Sequence, residues 1–186
     1  METHQLVRFS KFMSLVLRHR PHQYGLTLDA NGWAKVEDLV AAAKRANVPL
    51  TPEIVKQVVA HNDKQRYGLN AEGTAIRARQ GHSIKVNLDL TPLTPPEQLF
   101  HGTAEKFIPS IAEKGLVRGS RQYVHLSLDM ATAHKVGQRH GQAVVLTVAS
   151  GQMSHDGHPF YCSENKIWLT EAVPTAYLTF PTASSR

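Results

Sequence analysis

The stretch Asp89-Leu90-Thr91-Pro92-Leu93-Thr94-Pro95-Pro96-Glu97 decides how the chain is divided. It holds three of the ten prolines. Each proline ring fixes φ and removes an N–H donor, so clustered proline favours extended, non-helical backbone. The segment therefore reads as a linker between two lobes, residues 1–92 and 93–186. The charge balance changes at the same place. Residues 1–92 carry 13 Lys+Arg against 8 Asp+Glu, net +5, and residues 93–186 carry 8 against 7, net +1. Nearly all of the formal +6 of the 186-residue chain thus belongs to the first lobe. A basic lobe attracts polyanions, and nucleic acid is the leading partner class.

Upstream of the linker the pattern is mostly helical. Leu6, Phe9, Met13, Val16 and Leu17 fall on one helical face, and Pro21 ends that helix just after Arg18-His19-Arg20. Val36, Leu39, Val40 and Ala43 mark a second amphipathic helix after Gly32-Trp33. Thr51-Pro52 supplies an N-cap and a first-turn proline, and Ile54, Val55, Val58 and Val59 mark a third helix. Gln65–Leu69 and Thr74–Arg79 flank the turn-rich Asn70-Ala71-Glu72-Gly73, which predicts a hairpin. Three helices and a hairpin is the order of a winged-helix module.

Downstream, short strands alternate with short helices. Gln98-Leu99-Phe100 reads as a strand that ends at His101-Gly102-Thr103. A helix through Phe107, Ile108 and Ile111 stops at Gly115. Val124–Ser127 is a short strand, Asp129 caps a helix reaching Gly137, and Ala143–Val148 is a buried strand. Ile167-Trp168-Leu169 and Tyr177–Phe180 predict two more strands around a compact β-core. The fold class expected for the whole chain is α+β.

Several chemistries are disfavoured. The longest apolar runs are only a few residues, such as Val144-Val145-Leu146, whereas a membrane helix needs about 20. The N-terminus shows no basic and then apolar signal pattern, so a cytoplasmic protein is expected. The single cysteine, Cys162, excludes an internal disulfide and reads as a small buried residue. There is no phosphate-binding Gly-Lys-Ser/Thr loop, no GxGxxG after a strand and no HExxH. His155 and His158 have metal-like spacing around Asp156, but no further donors complete a set, and no metal is expected.

What remains is a distinctive set of cations. Eleven histidines are present, and His19, His101 and His125 fall at predicted element ends. Arg18, Arg66, Arg121 and Arg139 fall at turns or element ends. Guanidiniums offer bidentate bonds to a phosphate, and a histidine among them can donate to an oxygen or move a proton near neutral pH.

Six motifs occur in order: Arg18-His19-Arg20-Pro21, Asp63-Lys64-Gln65-Arg66-Tyr67, His101-Gly102-Thr103, Arg121-Gln122-Tyr123-Val124-His125-Leu126-Ser127, Gly137-Gln138-Arg139-His140-Gly141 and Asn165-Lys166-Ile167-Trp168-Leu169-Thr170. From about Phe9 to Phe180 the sequence closely resembles the NAD-dependent RNA (tRNA) 2′-phosphotransferase family. The resemblance implies an N-terminal winged-helix-like RNA-binding lobe over 1–92. It implies an ADP-ribosyltransferase-like NAD-binding lobe over 93–186.

The activity implied is transfer of an internal RNA 2′-phosphate, such as that of a tRNA splice junction, to NAD⁺. The 2′-phosphate attacks the ribose C1″ and expels nicotinamide, giving a 2′-phospho-ADP-ribosylated RNA. The ribose 2″-OH then attacks phosphorus and releases 2′-OH RNA and ADP-ribose 1″,2″-cyclic phosphate. By resemblance the catalytic residues are Arg18, His19, Arg66 and Arg121. The NAD-binding residues are His101, Gly102, Thr103, His125, Ser127 and Arg139. NAD⁺ is consumed, no metal is needed, and a monomer is expected. The sequence departs from the family's usual pattern at Tyr67, where Phe is common, and at Lys166, where Gly is frequent. Two other readings remain: an ADP-ribosyltransferase that stops after the first step, and a non-catalytic winged-helix nucleic-acid-binding protein.

Overall fold

The computed structural model describes residues 3–181. The chain divides into two compact units, Met1–Asp89 and Leu90–Arg186, with the boundary at the start of the proline-rich stretch.

The first unit is built on α1 (Thr3–Arg18), whose Phe9, Met13, Val16 and Leu17 are buried as their spacing requires. β1 (Trp33–Lys35) leads directly into α2 (Val36–Arg45). α3 (Pro52–Ala60) starts where the Thr51 hydroxyl accepts the Ile54 N–H, with Pro52 in its first turn. β2 (Tyr67–Leu69) and β3 (Ala75–Ala78) form the expected hairpin. Asn70 fixes its turn by accepting the N–H groups of Thr74 and Ala75. β1 joins that hairpin in an antiparallel sheet of order β1-β3-β2, pairing Trp33 with Arg77 and Lys35 with Ala75. The core unites α1, α2 and α3 with Tyr67, Ile76 and Ala78 of the sheet. The end of the unit is tied back to Asn31, whose side-chain amide donates to Asn87 O and to Asp89.

The second unit holds small antiparallel sheets. β4 (Leu99–Ala104) pairs along its full length with β7 (Ala143–Val148), and β11 (Leu178–Thr179) covers the other edge of β7. β6 (Val124–Leu126), β8 (Tyr161–Cys162) and β9 (Trp168–Thr170) form a second sheet of order β6-β9-β8. β5 (Leu116–Val117) and β10 (Ala172–Val173) form a two-stranded ladder. Between them lie α4 (Ile108–Lys114), α5 (Met130–Gly137) and α6 (Ser150–His155). The Asp129 carboxylate caps α5 by accepting the Thr132 N–H at 2.7 Å. Leu99, Leu126, Leu146, Val148, Met153 and Phe160 are the deepest part of this core.

Three expectations need correction. The strand expected to end at His101-Gly102-Thr103 runs from Leu99 through that motif to Ala104, because β7 offers a partner to all six residues. Tyr177 closes a 3₁₀ turn, Thr175–Tyr177, and only Leu178 and Thr179 are strand. Cys162 is half-buried, with its thiol near the Ser163 carbonyl at 3.6 Å. Among the described residues the chain is a mixed α/β protein with six α-helices. No helix among them is long and apolar enough to cross a membrane.

Candidate active site

Each unit brings some of the sequence-predicted residues together, and each cluster is built by a different device. In the first unit the device is the end of α1. Arg18 is the last helical residue and is 9% exposed. Its guanidinium carbon lies 5.9 Å from the centre of the Tyr67 ring, a cation–π contact. The backbone carbonyl of Arg18, one of those a helix end leaves without an intrahelical donor, accepts the Ser83 N–H at 3.0 Å. The next residue, His19, is exposed, and its Nδ1 is 2.9 Å from Ser83 Oγ.

Arg66 enters through its neighbour. Tyr67 is fully buried and its hydroxyl donates to Ser10 O, so this departure from phenylalanine is used structurally. Arg66 itself is half-buried, with its backbone N–H and guanidinium both directed to Asn62 Oδ1 at 3.2 and 3.5 Å. The structure thus places Arg18 against the Tyr67 ring with His19 next to it in the chain, while the Arg66 guanidinium is directed to Asn62. Arg121 belongs to the second unit.

Sequence reasoning missed the segment that backs this cluster, Gly81-His82-Ser83. Gly81 has φ +87 and its Cα faces Arg18, where a Cβ would lie 3.5 Å from the guanidinium. His82 is 1% exposed and neither ring nitrogen has a hydrogen-bond partner. Burial, then the charge of Arg18, then His19 and Arg77 push its pKa down to about 4, so the ring is neutral at pH 7. No periodicity marks these residues. The only hint is their position, just past a hairpin that returns toward the first helix.

In the second unit the device is the meeting of β4 with the end of β6. Phe100 and Ser127 exchange both backbone hydrogen bonds, at 2.9 and 2.7 Å, which sets β4 beside the end of β6 and His101 within reach of the His125 carbonyl. His101 Nδ1 donates to the His125 carbonyl at 3.0 Å. A carbonyl can only accept, so the proton is on Nδ1 and Nε2 is the acceptor nitrogen. Burial holds His101 below the usual histidine range, against the opposing pull of that carbonyl, and Arg121 and His140 lower it further. The ring is therefore neutral with a fixed tautomer.

His125 Nδ1 lies 3.5 Å from an Arg121 guanidinium nitrogen. Arg121 is held below its ordinary value by partial burial and then by the like charge of Arg139. His101, His125, Arg121 and Arg139 are thus one electrostatic group. Thr103 is buried, and Gly102 has a packing duty. A Cβ there would lie 1.6 Å from the Ala133 carbonyl oxygen of α5. Gly137 reciprocates, since a Cβ on it would lie 2.5 Å from Thr103 O. The two glycines let α5 lie on β4 and so fix the backbone that carries His101.

Asp156 accepts from Tyr177 OH at 2.7 Å and Gln152 Nε2 at 2.8 Å, and the His158 ring meets Tyr177 edge-on at 5.5 Å. That explains the His155–His158 segment as packing. Among the described residues no three His, Cys, Asp or Glu side chains form a metal-holding group.

The sequence matches the family described as RNA 2′-phosphotransferase, Tpt1 / KptA family, over residues 4–172. The chain belongs to that family. It is 51% identical over 179 residues to a protein of Rhodopirellula baltica named "Probable RNA 2′-phosphotransferase", covering 96% of this chain and 97% of the relative. A protein of the same name from Agrobacterium fabrum is 53% identical over 176 residues, 95% of each chain. One from Escherichia coli is 46% identical over 175 residues, covering 94% of this chain and 95% of the relative. Membership makes the protein an enzyme of the transferase class, and sets aside the non-catalytic reading.

Proposed function

We propose that this protein transfers an internal RNA 2′-phosphate to NAD⁺, with the first unit as a winged-helix-like RNA lobe and the second as an ADP-ribosyltransferase-like NAD lobe. The order α1-β1-α2-α3-β2-β3, closed by a three-stranded sheet, supports the first assignment. The net +5 of residues 1–92 supplies the attraction to RNA. The observation that carries the second assignment is His101. A neutral imidazole with its proton locked on Nδ1 presents Nε2 as an acceptor, which suits a ribose hydroxyl and not an anion. The donor set fits NAD⁺ in that sense. Bound NAD⁺ supplies an electrophilic ribose carbon with nicotinamide as its leaving group.

The chain's own residues then have separable tasks. The RNA phosphate arrives as an anion, so its attack needs no general base. Arg18, Arg66 and Arg121 neutralise the charge that builds on the equatorial phosphate oxygens, as preorganised cations do in phosphoryl transfer. His19, exposed and with its Nδ1 on the Ser83 hydroxyl, bonds to the phosphate and delivers a proton to the departing ribose oxygen. His125 steadies Arg121, and Ser127 and Thr103 frame the strand that carries His101.

The test uses a 2′-phosphorylated oligonucleotide, with and without NAD⁺ and with a chelator present. The expected result is 2′-OH RNA, nicotinamide and ADP-ribose 1″,2″-cyclic phosphate, strictly dependent on NAD⁺ and indifferent to the chelator. Dephosphorylation without NAD⁺ would overturn the proposal. A stable ADP-ribosyl adduct with no phosphate release would make the protein a transferase that stops after one step.

A further inference from the structure

We propose that Ser83 is the positioning residue of His19 and, before the proton is delivered, holds the ring with a proton on its Nε2. This rests on the reading above that His19 acts at the phosphate. Ser83 is fixed first by its backbone, whose N–H donates to Arg18 O at 3.0 Å. Its neighbours fix it further. Gly81, at φ +87, lets the chain pass close to the Arg18 guanidinium, and His82 is fully buried behind it, near Gly32.

From that platform Ser83 Oγ reaches two groups. It lies 2.9 Å from His19 Nδ1 and 3.5 Å from Arg18 O. A hydroxyl has one proton and two lone pairs, and the proton rotates to suit its partners. When His19 is an imidazolium, Nδ1–H donates to Oγ and the serine proton turns toward Arg18 O. When His19 is neutral, the serine proton has two acceptors, Nδ1 at 2.9 Å and Arg18 O at 3.5 Å. Arg18 O already accepts the Ser83 N–H, so the shorter contact favours Nδ1 and leaves the ring's single proton on Nε2. Until that proton is delivered Nε2 is a donor in either charge state, which is what a phosphate oxygen requires.

A backbone carbonyl in the same place would pull the proton onto Nδ1, as the His125 carbonyl does for His101. A carboxylate would place a negative charge against Arg18 and compete with the phosphate. Serine does neither.

The experiment is a single-turnover assay of 2′-phosphate transfer with NAD⁺ saturating, combined with ¹⁵N spectra of the His19 ring. Ser83→Ala should lower the rate about tenfold, the scale of one positioning hydrogen bond, with the RNA half-saturation concentration unchanged. Ser83→Thr should restore it to within about twofold. Ser83→Ala should cost nothing further in a His19→Ala background, because the serine acts through the histidine. The neutral ring of the wild-type protein should show the Nε2–H tautomer, and Ser83→Ala should show a mixture.

Wild-type rates in Ser83→Ala with His19→Ala inactive would overturn this inference alone. Full activity in His19→Ala would instead overturn the reading it rests on. If Ser83→Ala does not fold, the wild-type spectrum decides, and an Nδ1–H tautomer there refutes the proposal.

Discussion

His19 in the first unit and His101 in the second are held by opposite means. His101 Nδ1 bonds to a backbone carbonyl, and burial keeps the ring neutral. His19 is exposed and its Nδ1 meets a hydroxyl. The first arrangement fixes one tautomer and gives up the proton's mobility. The second gives the ring a partner that can either donate or accept. On the proposed reading the same side chain serves as a hydroxyl acceptor in one unit and a proton donor in the other, and the difference lies in one neighbouring atom. Residue type alone could not separate these roles.

The sharpest way to break the comparison is to remove each histidine in turn. His19→Ala, like Arg18→Ala and Arg121→Ala, should slow phosphate transfer by roughly 10²–10³, the cost of losing one preorganised donor to a charged transition state. The defect should fall on the step at phosphorus, so the RNA adduct expected of the family accumulates. His101→Ala should instead raise the NAD⁺ concentration needed and leave little adduct. A time-resolved gel separating substrate, adduct and product reads both. Arg18, His19 or Arg121 variants that fail only through weaker NAD⁺ use would show that these residues do not act at the phosphate.

The next test asks whether Gly102 serves the second site directly or through packing. A Cβ there meets the backbone oxygen of Ala133 at 1.6 Å, and backbone cannot swing aside as a side chain can. Gly102→Ala should therefore cost about 3 kcal/mol, the upper end of ordinary overpacking. It should also weaken NAD⁺ use by shifting the strand that holds His101. Thermal unfolding with NAD⁺ titration measures both. An unchanged midpoint with lost NAD⁺ use would make the glycine a contact residue and not a packing one.

These cases show what was legible beforehand. Elements with strong local signals were: the α1 stripe, the Thr51-Pro52 start of α3, the Asp129 cap and the Asn70 turn. Elements whose cause is tertiary were not. β1 is three residues long and exists because β3 offers it an edge. β5 and β10 are two-residue ladders. α6 carries no apolar period, and its Ser150 hydroxyl instead donates to Pro96 O. Of the site, the cations were legible because charge chemistry restricts residue type. Their supports were not, because serine, glycine and buried histidine are common and carry no spacing rule. Gly102 belongs to a motif that the resemblance assigns to NAD⁺, and its close approach to α5 is a packing duty that no spacing rule announces.

The first unit also has a buried neutral histidine, and its pH dependence is testable. The sign follows from the direction of the shift. The pKa of His82 is lowered to about 4 in the folded chain, against about 6.5 when unfolded. Between those values the unfolded state binds the extra proton, so stability is fully present above about pH 6.5 and is lost as pH falls toward 4. The loss attributable to this group is about 3 kcal/mol at most. Urea unfolding of the full chain at several pH values should show it, and His82→Gln should flatten the slope over that window. Parallel slopes for the two proteins would mean that His82 is not the group responsible.

The smallest expected effect tests a departure that was visible in the sequence. Lys166 has φ +59, in the turn between β8 and β9. There its N–H donates to Ser163 O at 2.8 Å, and Ser163 N–H donates to Ile167 O at 2.9 Å. The turn requires a left-handed residue whatever its side chain. For an L-residue with a Cβ that conformation costs about 1–2 kcal/mol, which glycine avoids. Glycine returns about 0.5–1 kcal/mol of that through its greater freedom when unfolded. Lys166→Gly should therefore stabilise the protein by roughly 0.5 kcal/mol, raising the midpoint by about 1–2 °C for a chain of this size. Lys166→Ala is the control, because it removes the charge and keeps the Cβ, and it should gain nothing. Equal gains from both would assign the effect to the lysine charge, whereas a loss with glycine would mean that the Lys166 side chain contributes more than the turn strain it imposes. Catalysis should be unaffected in either variant, since the turn holds none of the residues assigned to phosphate or NAD⁺.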